Sequence, residues 1–137
     1  MPAKRLERGA PAVAGGLLAA PVLFSHGLPA TDLPLHEGMV ALLAHQSDAA
    51  FTGGLYTSNW GHANQLFYLL ALPFAYALGS DAACRLVLAA SVATTVVAAA
   101  RLCDHVGASR WLSLLSAPAA LGWTFFHGFA PNVLGFA

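Results

Sequence analysis

The sequence predicts an all-α, helical multi-pass membrane protein with surface helices in its first external loop, and three observations predict it. Of 137 residues, 58% are hydrophobic and 9% charged, where a soluble domain carries about a quarter charged. Six basic and six acidic side chains cannot cover the surface of a soluble core of that size. The charges also gather at the borders of apolar runs long enough to be helices. Finally, no Lys or Arg occurs between Arg8 and Arg85, while Asp32, Glu37, Asp48 and Asp81 all fall in that stretch, which the positive-inside rule reads as non-cytoplasmic. A net charge of zero and a pI near 7.0 lack the electrostatic footprint of a nucleic-acid binder. Disorder is excluded as well, because unfolded segments are poor in apolar residues and rich in net charge.

The first element comes directly after Lys4, Arg5, Glu7 and Arg8. Residues 9–31 are free of charge, with an apolar heart at 10–28 that spans about 28 Å as a helix, close to the hydrocarbon thickness. Its rival is a cleaved signal peptide, with small residues at Ser25 and Gly27 near a cleavage point. The apolar run exceeds the usual ~7–15-residue core of such peptides, which favours an anchor. Both readings export the chain beyond residue 31 and leave the N-terminus cytoplasmic.

Asp32 is suited to cap a helix, Pro34 is tolerable in its first turn, and Leu35, Met39, Leu42 and Leu43 recur at helical spacing. This predicts a helix over 33–46 with one apolar face and with Glu37, Ala41 and Ala44 away from it. Too short and too polar to span, it is expected along the membrane surface. Residues 51–61 (FTGGLYTSNWG) are rich in turn formers, and Tyr56 and Trp60 suit the interfacial aromatic belt.

Two shorter apolar stretches come next, 65–79 and 86–100. If only the second spans, as a helix over 82–103, then Lys4, Arg5, Arg8, Arg101 and Arg110 are cytoplasmic and Arg85 alone lies outside. If both span, Arg101 and Arg110 are forced out. The first arrangement obeys the positive-inside rule better. It makes 65–78 a second surface or re-entrant helix with Pro73 as its kink, and requires Arg85 to snorkel at the outer interface. Residues 111–130 then read as a returning span, with Trp111 near one end and Trp123, Phe125 and Phe126 toward the other. The chain is thus a single membrane domain over 1–137, with spans at about 10–28, 82–103 and 111–130 and an external loop at about 29–81. Its apolar tail, from Pro131 to Ala137 without a polar cap, predicts the N-terminal fragment of a longer protein.

Signals for chemistry are sparse. Cys84 and Cys103 fall near opposite ends of one expected helix, roughly 28 Å apart, too far for a disulfide. Six histidines occur, but no HxxxH, HExxH or CxxCH, and neither GxSxG, GxGxxG nor GxxxxGK[ST] is present. One cluster stands out, TDLPLHEG, in which Asp32 and His36 are four apart and Glu37 is turned about 100° from His36. Carboxyls at a water–membrane boundary can act as a general base or hold a divalent cation against a phosphate leaving group; the structural alternative is that Asp32 caps a helix and Glu37 faces water.

A first span, an acidic segment just after it, a surface helix, and an aromatic segment leading to NQLFYLLALPFAYALG resemble the start of a polytopic lipid-linked-sugar glycosyltransferase of the GT-C type. The stretch CRLVLAASVATTVVAAARLCDHVGASRW is similar to the helix and basic turn that come next in that family. The resemblance implies a polyprenyl-phosphate sugar as donor and an acidic residue of the first external loop as catalytic base or metal contact, here Asp32, with Glu37 as the second candidate. The family's adjacent Asp-Glu pair is replaced by DLPLHE. A non-catalytic multi-pass protein, a transporter part or an assembly subunit, is the alternative class; transporters place ionisable groups inside spans, and the expected spans carry only His26 and His127. The topology is testable: with cysteines placed at Ser47 and Ser109 in a Cys-free background, only the former is expected to react with an impermeant thiol reagent from outside.

Overall fold

A computed structural model describes residues 2–25, 27–56, 61, 65–128 and 130–135, with the side chains of 2–6 and 52 left out. His26 and Trp60 lie outside the described residues. The described chain is helical, without strands: α1 (Pro2–Phe24), α2 (Leu33–Ala44), α3 (Ala49–Thr52), α4 (Gln65–Leu78), α5 (Ser80–His105), a 3₁₀ helix (Arg110–Ser116), α6 (Ala117–Ala120), α7 (Trp123–Phe126) and α8 (Ala130–Gly135).

Helix α5 is the axis. Val87, Leu88, Val92 and Val96 are buried together with Ser91 and Thr95, whose hydroxyls donate back to the Val87 and Ser91 carbonyls and so need no outside partner. Among the described residues it is the one helix long and apolar enough to cross a membrane. Helix α1 runs antiparallel along it. Three contacts show this: Glu7 meets Ser109 beyond the end of α5, Gly15 meets Ala93 midway, and Ser25 meets Arg85 near its start. Pro11 and Pro21 sit inside α1, and the helix ends at Phe24, ahead of the expected 28, where Gly27 and Pro29 disfavour continuation.

A single residue, Gly79 at φ 86°, reverses the chain between α4 and α5, a backbone conformation that favours glycine. Helix α4 continues through Pro73 and buries Phe67, Ala71 and Ala75. The long α5 and the shorter α4 match the two expected helices, and α2 forms at Leu33–Ala44, within the expected 33–46. It buries Leu33 and Val40 and leaves Leu35 65% and Met39 42% exposed, so the side bearing His36 and Glu37 faces the bundle.

The returning helix expected over 111–130 is broken. The path does traverse the bundle, from the Glu7 end, where Arg110 N–H donates to Glu7, to the start of α2, where the Asp32 N–H donates to the His127 carbonyl at 3.1 Å. It does so as short pieces. Ser113 and Ser116 hydroxyls bond the Arg110 and Ser113 carbonyls three residues back, Pro118 opens α6, and Gly122 and Gly128 separate α6, α7 and α8, each competing with a continuous helical ladder.

At Gly15 a Cβ would stand 2.7 Å from the Ala93 carbonyl oxygen, whereas at Gly16 it would meet nothing within 4 Å. Gly15→Ala is therefore expected to destabilise the α1–α5 pair by about 1–3 kcal/mol through overpacking. Gly16→Ala should be neutral or stabilising by up to about 1 kcal/mol from helix propensity. Thermal unfolding of the two variants in detergent tests this; equal midpoints would refute the close approach.

Candidate functional site

The end of the bundle where α1 exits, α2 begins and α4 turns into α5 collects the polar side chains. The Gly79 turn starts α5 there, so Asp81 and Arg85, one helical turn apart, point toward the α1 exit. Arg85 Nε donates to Asp81 Oδ1 at 2.7 Å and Nη1 to the Ser25 carbonyl at 2.7 Å. The arginine side chain is 18% exposed and Asp81 62%. Arg85, expected to snorkel at the outer interface, ties α5 to the residue just after α1.

Glu37 reaches this pair from α2. Burial, then a hydrogen bond to Asp81 and its charge, raises the Glu37 carboxyl above the ordinary range, against the opposing pull of Arg85. A neighbouring carboxylate disfavours a second negative charge, which is why Asp81 acts on Glu37 in this direction. Cys84, buried on α5, lies near the same carboxyls.

Beside them, His36 Nδ1 lies 2.7 Å from the Tyr68 hydroxyl of α4, with Phe67 and Tyr68 rings each 5.7 Å from its own. Burial lowers the His36 pKa, partly countered by Asp32 and the Gly128 carbonyl. A neutral ring protonated on Nε2 accepts the Tyr68 hydroxyl at Nδ1. Asp32 occupies the N-cap position of α2, yet its side chain makes no capping hydrogen bond, which corrects the capping expectation. The backbone there is held instead by the C-terminal segment: Thr31 N–H donates to the Phe126 carbonyl at 3.2 Å. Gly128, at φ 73°, leaves no space for a Cβ, which would stand 2.5 Å from the Asp32 nitrogen.

The two site residues taken from the sequence are thus close to one end but have different companions, Asp32 with His36 and Glu37 with Asp81. Sequence reasoning passed over Asp81, Arg85 and Tyr68 as site members. The i, i+4 spacing of Asp81 and Arg85 was a usable signal; Tyr68, one aromatic among several in α4, gave none. Among the described residues no three His, Cys, Asp or Glu side chains come together as a metal-ligand set. Comparison with protein-family models, curated proteins and solved structures finds no match.

The two shifts act oppositely on stability. Above 4.5, the ordinary Glu value, folded Glu37 keeps a proton that the unfolded chain has lost, so this stabilisation is full at lower pH and disappears as pH rises through the raised folded value. For His36 the stabilisation is present above 6.5 and is lost as pH falls through the lowered folded value. In a pH series upward from 4.5, the wild-type unfolding midpoint should therefore fall relative to that of Glu37→Gln, which keeps the His36 contribution and lacks the Glu37 one. An unchanged slope in the variant would show that the Glu37 carboxyl is not raised in the folded chain.

Proposed function

We propose that the chain is the membrane portion of an integral membrane protein of the cell membrane. Its Glu37 end faces outward and transfers a sugar from a polyprenyl-phosphate donor. The membrane placement is supported by the length and apolarity of α5, by α1 lying along it, and by large apolar side chains turned outward, among them Leu17, Phe24, Leu66, Phe74 and Leu115. That distribution suits contact with lipid. The outward placement rests on the charge bias, since Asp32, Glu37 and Asp81 lie at one end and Arg8, Arg101 and Arg110 at the other.

The observation that carries the chemistry is the meeting of Glu37 with Asp81 beside Arg85, which raises the Glu37 carboxyl above its ordinary range at the end of the bundle that also holds a second carboxyl, Asp32. In this reading Asp32 takes the proton of the acceptor hydroxyl while the acceptor oxygen bonds to the anomeric carbon. The bond from that carbon to the phosphate oxygen breaks, its electron pair leaves with the polyprenyl phosphate, and Glu37 donates a hydrogen bond to the departing oxygen.

A second reading has its own observation. Arg85, Asp81, Glu37 and the Ser25 carbonyl satisfy one another across α1, α2 and α5, which is what a non-catalytic clasp in a transporter part or assembly subunit requires. Membranes carrying the protein are expected to release labelled sugar from a polyprenyl-phosphate donor, and Asp32→Asn or Glu37→Gln to lower that rate by about 10²–10⁴-fold with abundance unchanged. Wild-type rates in both variants, or no release at all, would leave the clasp reading. Extraction of the wild-type chain by alkaline carbonate would remove the membrane placement itself.

A further inference from the structure

The opposite end of the bundle has no part in the proposed chemistry, yet it gathers nearly all the positive charge. Arg8 on α1 and Arg101 near the end of α5 are exposed, Arg110 opens the 3₁₀ helix beside them, and Lys4 and Arg5 lie in the first turns of α1. Of the six Lys and Arg in the chain, only Arg85 lies elsewhere. Two acids share this end, and the framework occupies both. Glu7 Oε1 accepts the Ser109 hydroxyl at 2.7 Å and the Arg110 N–H at 3.2 Å. Asp104 takes the fork of the Arg110 guanidinium, Nε to Oδ1 at 2.7 Å, and Arg110 Nη1 also donates to the Arg8 carbonyl. These bonds join the start of α1 to the chain beyond α5 and bring Arg8 and Arg101 around the one Asp104 carboxyl, which feels the charge of both. Next to them Leu102, Val106, Trp111 and Leu112 are exposed.

We infer that this end docks an anionic phospholipid headgroup. The exposed Arg8 and Arg101, both near enough to Asp104 for their charges to act on it, supply guanidinium donors for a phosphate, and Arg110, engaged by Asp104, ties the Arg8 main chain to this end. The exposed apolar side chains select a lipid over a free phosphate, since they offer the glycerol and acyl region a surface that a soluble anion cannot use. The inference rests on the membrane reading of α5 and is independent of the transfer chemistry.

The test uses the full chain purified in mild detergent with equimolar phosphatidylglycerol and phosphatidylcholine, the retained lipid being counted by native mass spectrometry. The wild type should retain phosphatidylglycerol in excess, and Arg8→Gln with Arg101→Gln should reduce the excess by roughly fivefold per arginine removed. The Arg8→Lys, Arg101→Lys pair should keep most of it. Equal retention of the two lipids by the wild type, an unchanged excess in the Gln pair, or displacement by millimolar glycerol phosphate as effective as by the lipid would overturn the inference. Should the Gln pair not fold, the wild-type excess must still fall steeply with added salt, and an excess indifferent to salt counts against it. Carbonate extraction of the wild type distinguishes the two failures. A chain that stays in the membrane yet shows no lipid preference sinks this inference alone, and one that is extracted sinks the membrane reading beneath it.

Discussion

The close approach of α1 to α5, with Gly15 against the Ala93 carbonyl, sets the spacing on which the other contacts depend. Without a Cβ at that point the two backbones come near enough for Ala19 and Val22 of α1 to be buried with α5. Small residues at a helix interface act this way in membranes, where packing of backbone against backbone replaces much of the hydrophobic drive available in water. The same register carries Ser25 to Arg85 at one end and Glu7 to Ser109 at the other. Two polar ties therefore bracket an apolar middle, and a shift of one turn along α1 would break both.

The ties differ in what they leave over. At the α1 exit Arg85 is largely buried, where a guanidinium needs partners; Asp81 accepts from its Nε and the Ser25 carbonyl from its Nη1. Glu37 then arrives at a carboxyl already engaged with an arginine, and its own charge becomes expensive. Burial and this neighbour together raise the Glu37 carboxyl. At the other end the acids are consumed by Ser109, Arg110 and its backbone, and the surplus is positive. One end thus retains a raised carboxyl beside a second acid and the other exposed guanidiniums, a polarity set by which acid each arginine reaches.

Helix α2 shows how far sequence periodicity reaches. Leu35, Met39, Leu42 and Leu43 were legible as the apolar stripe of a helix, and the helix forms over Leu33–Ala44. Which side the stripe faces was not legible. Periodicity identifies a face and leaves its partner open, and here Tyr68, Asp81 and Arg85, from other helices, draw His36 and Glu37 inward and leave Leu35 and Met39 outside. The segment 111–130 failed for a different reason. Its lack of charge suggested a helix, while Ser113, Ser116, Pro118 and Gly122 supplied local bonds and breaks that composition does not weigh.

The sequence by itself determined the helical class, the positions of α2, α4 and α5, the separation of Cys84 from Cys103 on one helix, and the charge bias between the two ends. All of these depend on residues near one another along the chain, through hydrophobic period, helix length and the placement of ionisable groups. The tertiary structure alone decided the antiparallel register of α1 on α5, the meeting of Glu37 with Asp81 and of His36 with Tyr68, and the capture of Arg85 by Ser25. Each joins groups tens of residues apart whose pairing is worth little until the helices are packed, because only exclusion of water makes an unmatched charge or hydroxyl costly enough to select its partner.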